Sequence, residues 1–196
     1  VMHNHPGWRK TSLDFTDTEK IAYEEGLIDG VEVMNGSEFY PGIIDRVQER
    51  GLFIAANSDI HGATAVDYRL TGSDRPMTLI LARDKSMESI REALESNRTI
   101  ALGYGELCGE EGLLAELFKA SITFDELNVT EKNKVLQLTN KTSIPYLIQL
   151  EGKNPVHLEP HSAVRMTIDK NTKMLKMSII NMWCSADSHP VVELGF

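Results

Sequence analysis

Three polar clusters in this 196-residue chain fall where apolar runs stop: His3-Asn4-His5-Pro6-Gly7, Asn35-Gly36 and Asn57-Ser58-Asp59-Ile60-His61-Gly62. Asp59 and His61 offer a carboxylate and an imidazole two residues apart, directly after the apolar run Leu52-Phe53-Ile54-Ala55-Ala56. A hard oxygen beside a borderline nitrogen suits Zn, Mn or Fe, provided the backbone turns so that both face one point. Asn57 and Ser58 can hydrogen-bond such ligands from behind. In the competing reading Asp59 caps a turn and His61 lies on the surface. The buried-type run ahead and Gly62 behind favour the ligand reading of an otherwise common pattern. His5 precedes Pro6, and proline holds the residue before it extended, which would fix the imidazole at one angle; an ordinary turn is an equal alternative. His3 shares a side with His5 if the segment is extended, and reads as a supporting or surface residue rather than a ligand.

Further candidates are weaker. Glu32 lies inside a strand-like run and could support the ligands or touch substrate, or pair with a cation at the rim. Asn35 before Gly36 could make a hairpin turn, but a helix-like segment follows, which favours a strand-end loop facing the site. Tyr40 and Arg75 could contact a phosphate through hydroxyl or guanidinium, although a plain surface role fits both better. His157 and His161 flank Pro160, which argues against a shared helical face, and His189 before Pro190 reads as a turn.

The elements that must position these residues alternate strand and helix up to about residue 119. Thr16 and Glu19 form a capping-box pattern for a helix reaching about Glu25, stopped by Gly26. A strand at 31–34, a Pro41-led helix, the apolar run at 52–56, a polar loop at 63–75, a strand at 77–82, a helix at 86–96, a strand at 99–102 and a helix at 110–119 follow. Such alternation predicts an α/β domain with a parallel sheet, either doubly wound or part of a barrel, and in both the functional residues collect past the C-terminal ends of strands. From about residue 121 the period changes to two: Leu136 and Leu138; Tyr146, Ile148 and Leu150; Val164, Met166 and Ile168; Leu175, Met177 and Ile179; then a closing strand at 191–196. This predicts an antiparallel sandwich, so the domains are placed at 1–119 and 120–196.

The balance is acidic, −9 from 29 Asp plus Glu against 20 Lys plus Arg, which disfavours nucleic acid as a partner but not a small phosphorylated substrate. No run is long and apolar enough for a membrane helix, and the sequence specifies no oligomeric state. Cys108 and Cys184 have no metal-binding spacing and are expected as buried thiols in different domains rather than a disulfide. Because Val1 and Met2 read as the end of a strand, an upstream portion is expected to precede the sequence given.

Taken in order, His3-Asn4-His5-Pro6-Gly7-Trp8, Gly30-Val31-Glu32-Val33-Met34-Asn35-Gly36 and Asn57-Ser58-Asp59-Ile60-His61-Gly62 resemble the polymerase-and-histidinol-phosphatase (PHP) superfamily of metal-dependent phosphoesterases. The similarity spans roughly residues 1 to 119 and includes Arg75-Pro76-Met77-Thr78. It implies the C-terminal half of a TIM-like (β/α)7 barrel followed by a β-sandwich, two or three divalent metal ions, and hydrolysis of a phosphate ester by metal-bound hydroxide. It assigns His5, Asp59 and His61 as metal ligands, with catalytic roles for Asp59 and His61. His3, Glu32, Asn35, Asn57 and Arg75 would stand behind the ligands or on the substrate side. The family also uses an early His-x-His pair and further His and Glu ligands upstream, which this sequence lacks. The rival readings are a metal-dependent amidohydrolase and a non-catalytic barrel whose sandwich binds a partner. The domain pairing points to a periplasmic or secreted bacterial protein.

Overall fold

The computed structural model describes residues 1–8, 10, 12–69 and 75–195. It divides into two compact units: Val1–Glu110 with Trp183–Ser188, and Glu111–Met182 with His189–Phe196.

The first unit contains β1 (Met2–His3), α1 (Asp17–Glu24), β2 (Gly30–Asn35), β3 (Glu38–Phe39), α2 (Ile44–Glu49), β4 (Phe53–Asn57), β5 (Met77–Ile80), α3 (Met87–Glu95), β6 (Thr99–Gly103) and β7 (Glu106–Gly109). Every residue of β2 is buried, as a strand covered on both faces requires. It pairs in parallel with β1 and with β4. The core around it is Val31, Val33, Met34, Ile43, Ile44, Val47 and Ile54. The stop at the end of β2 is a hairpin: Met34 pairs with Phe39 and Asn35 with Glu38 across Gly36 and Ser37. The strand-end loop expected at Asn35 is therefore the tip of a two-strand ribbon. The α1 boundary follows the sequence, since the Thr16 hydroxyl accepts the Glu19 N–H and the Glu19 carboxylate accepts the Thr16 N–H.

The parallel expectation fails for β5, β6 and β7, which pair antiparallel in that order. Between the strand expected at 99–102 and the helix expected at 110–119 lies the two-residue turn Tyr104-Gly105, with φ of 55° and 77°. Positive φ at both positions makes the tight hairpin that only antiparallel strands can close. The edge of β4 turned from β2 is completed by threonine hydroxyls. Ile54 N–H donates to Thr99 Oγ1 (3.1 Å), while Thr78 Oγ1 accepts from Ala56 N–H and donates to Ala56 O (3.0 Å each). The loop expected at 63–75 holds a π-helical turn, Ala65–Arg69; residues 70–74 of that loop lie outside the described residues.

The second unit contains α4 (Glu111–Ser121), β8 (Ile122–Val129), β9 (Asn133–Asn140), β10 (Tyr146–Leu150), β11 (Val156–Leu158), β12 (Ala163–Asp169), β13 (Met174–Ile179), the first residue of β14 (Met182–Trp183) and β15 (Val191–Gly195). Its strands form two antiparallel sheets, β12-β9-β8 and β11-β10-β13-β15. Buried and exposed positions alternate along β9, β10 and β13, so the period of two was legible, and each sheet has one buried face. The α4 helix, expected in the first domain, belongs to this unit. Phe118 meets Tyr146 edge-on with centroids 5.0 Å apart, and the Tyr146 hydroxyl donates to Ser121 Oγ at 2.6 Å.

Trp183–Ser188 returns to the first unit. The Trp183 indole donates to Glu106 at 2.6 Å and meets Phe39 edge-on. Cys184 therefore shares a unit with Cys108, not the separate domain expected for it. Both are thiols. Burial pushes the Cys108 thiol far up, and neighbouring Cys184 adds to this. Among the described residues no helix is long and apolar enough to cross a membrane.

Candidate functional site

The parallel strands β1, β2 and β4 bring their C-terminal ends to one place, and Glu32 organises it. Its side chain is 2% exposed. Oε2 accepts the His5 backbone N–H at 2.6 Å and Asn35 Nδ2 at 2.9 Å, and Oε1 accepts Asn57 Nδ2 at 2.5 Å. One buried carboxylate thus ties together the ends of three strands far apart in sequence. Four of the residues singled out above, His5, Glu32, Asn35 and Asn57, meet through these bonds.

His5 and Asp59 both adopt positive φ, 34° and 50°, so His5 is left-handed and not extended as the following Pro6 led the sequence to predict. His and Asp are among the non-glycine residues that tolerate this region. The turn at Asp59 aims its side chain differently from the strand before it. Gly36 lies against it: a Cβ there would meet Asp59 Cβ at 3.5 Å, and Gly36 itself has φ of 53°. Gly36 N–H donates to Asn57 O at 3.0 Å, locking the β2–β3 hairpin to the end of β4. Asp59 and His61 are exposed, and His61 Nδ1 lies 2.7 Å from Asp59 O. The His5 ring rests near Trp8 with centroids 5.1 Å apart.

Tyr40 reports the local field. Burial pushes its phenol far up, and the hydrogen bond to Glu38, the Glu38 charge, and the charges of Glu32 and Asp59 act in the same direction. Carboxylates thus dominate its surroundings. Arg75 is exposed, just before β5.

His3 is committed elsewhere. Its Nδ1 lies 2.8 Å from Tyr23 Oη and its Nε2 3.1 Å from Glu19 Oε1. Burial lowers its pKa against the opposing pull of Glu19. Burial would raise the Glu19 carboxyl, but Lys10, 2.7 Å from both oxygens, and the Thr16 cap hold it at about 2. A folded value below the ordinary 4.5 means that the unfolded chain takes up the proton first. The stabilisation is present above pH 4.5 and is lost as pH falls toward about 2. Urea midpoints measured across that window should fall for the native protein and stay flatter for Glu19→Gln.

Two residues that sequence reasoning passed over border the Asp59 turn. The Tyr68 hydroxyl donates to Ser58 O at 2.7 Å, and the Tyr104 hydroxyl donates to Gly36 O at 2.5 Å. Gly-Tyr-Gly between two apolar runs was a usable hairpin signal for Tyr104. Tyr68 carried none.

The resemblance implies divalent metal ions, which set a test for the donors. Among the described residues, no group of three or more His, Cys, Asp or Glu side chains is placed to hold a metal ion. His5, Asp59 and His61 do not by themselves complete such a site.

The chain is similar to a two-domain protein of known structure. It superimposes over 100% of its length, with a TM-score of 0.91 and 26% identity, on the crystal structure of a two-domain protein containing a predicted PHP-like metal-dependent phosphoesterase from Bacteroides vulgatus ATCC 8482. The chain spans 61% of that protein. No protein-family model and no curated protein matches it.

Proposed function

We propose that this chain is part of a metal-dependent phosphoesterase of the PHP type, acting on a small phosphorylated substrate. In this reading the first unit is the C-terminal part of a (β/α)7 barrel and the second is a β-sandwich. The whole-chain likeness to the Bacteroides protein carries it. The gathering of polar residues at the C-terminal ends of β1, β2 and β4 supports it, because parallel α/β sheets build their sites there.

His5, Asp59 and His61 are the candidate metal donors, with Asp59 and His61 nearest the chemistry. The work of this chain's own residues is positional. Glu32 fixes the His5 backbone and the Asn35 and Asn57 amides, so the loop ends are preorganised rather than ordered by substrate. Because the three donors do not complete a metal site, the hydrolytic step belongs to the whole protein.

The test is turnover of p-nitrophenyl phosphate and bis-p-nitrophenyl phosphate by the full-length protein, with and without added Mn²⁺ or Zn²⁺, beside an amide panel and elemental analysis. Phosphoester turnover that rises with metal is the expected result. Amide turnover alone would favour the amidohydrolase reading. A metal-free, inactive protein would favour a binding role.

A further inference from the structure

Three backbone irregularities are linked by two phenol hydroxyls that reach the carbonyls flanking the Asp59 turn. Asp59 is held at φ 50°, Tyr104 at φ 55° sits in the β6–β7 turn, and Tyr68 lies on a π-helical turn. Such features persist only where their surroundings enforce them, and they cluster at functional sites. Here the enforcing contacts are identifiable. Tyr68 bonds the carbonyl of Ser58, the residue before Asp59. Tyr104 bonds the carbonyl of Gly36, whose Cα faces the Asp59 side chain and whose N–H bonds Asn57. The two phenols neighbour each other, so two segments that are not adjacent in the β1–β2–β4 sheet close on the Asp59 turn from outside.

We infer that Tyr68 and Tyr104 are positioning residues that hold Asp59 in its left-handed conformation and so set the direction of its carboxylate. The role rests on the phosphoesterase reading only for its consequence in turnover; the conformational part stands on the geometry alone. Neither hydroxyl need touch substrate. Each fixes a peptide carbonyl, and the peptide fixes the Asp59 side chain. Tyr104 is 43% exposed, so loss of its hydroxyl removes a tether without opening a core cavity.

The experiment compares, in the full-length protein, the native form, Tyr104→Phe, Tyr68→Phe and the double variant, with Tyr23→Phe as a control away from Asp59. Backbone ¹⁵N and ¹³Cα shifts of Asp59 are read by NMR, with the melting temperature and the kcat and KM for p-nitrophenyl phosphate. The double variant should move the Asp59 shifts and keep a native-like melt. Its kcat should fall by about ten- to a hundredfold at little-changed KM, the scale on which small misplacements act. Tyr23→Phe should leave the Asp59 shifts alone. Unmoved Asp59 shifts in the double variant overturn the proposal, and so do moved shifts with native kcat. If native protein turns over no phosphoester, the phosphoesterase reading falls, and the NMR comparison still decides whether the phenols hold Asp59.

Discussion

Asp59→Asn is expected to lower phosphoester kcat/KM by about a hundredfold or more, the scale on which removal of one charge-stabilising group acts, while the fold survives. Asparagine is nearly isosteric and tolerates positive φ at least as well as aspartate. The position is exposed, so the stability change should stay within about 0.5 kcal/mol. The substitution therefore removes charge and little else. Asp59→Val makes the complementary change: a β-branched residue at φ 50° meets backbone strain of about 1–3 kcal/mol. Steady-state kinetics and thermal melts on the two variants separate the carboxylate's chemical role from its conformational one. Native kinetics in Asp59→Asn would remove Asp59 from the site.

Glu32→Ala should produce the largest loss of stability in the first unit. The truncation strands three donors that the carboxylate satisfies, the His5 N–H and the Asn35 and Asn57 amides. An unsatisfied buried donor costs about 1–3 kcal/mol, so the sum for three is about 3–9 kcal/mol, less whatever water recovers. Glu32→Gln should be far milder. Its oxygen keeps acceptor capacity, and the Asn57 amide can turn its own oxygen toward the new NH₂ group. Urea unfolding checks both, with the two units followed separately because a two-unit chain need not melt in one step. A Glu32→Ala variant as stable as native would mean that the three bonds are not the clamp described above. Activity should fall in step with stability at Ala and be partly kept at Gln, since the same bonds preorganise His5 and Asn57.

The sequence carried a good deal of this structure. The Thr16–Glu19 capping box set the start of α1 because its chemistry is local. The buried middle of β4 announced itself as an apolar run, β2 as a strand at 31–34, and the alternation along β9, β10 and β13 reported which side of each strand is covered. The placement of His5, Asn35 and Asp59 at strand ends was also legible. The left-handed turn at Asp59 falls on a residue type that tolerates it, whereas Pro6 pointed to an extended His5 and the fold overrode it.

What the tertiary structure alone decided is who meets whom. Hydropathy records whether a residue is buried, not which neighbour buries it or in which direction a paired strand runs, so β5, β6 and β7 looked parallel until their pairing was seen. His3 turned to Tyr23 and Glu19, Cys184 returned to the unit of Cys108, and α4 joined the second unit through Phe118 and Tyr146. The Glu32 clamp reaches His5 across 27 positions and Asn57 across 25, and the Tyr68 and Tyr104 contacts reach Ser58 across 10 and Gly36 across 68. Such bonds depend on distances that only the folded chain creates, and no local pattern of residue types encodes them.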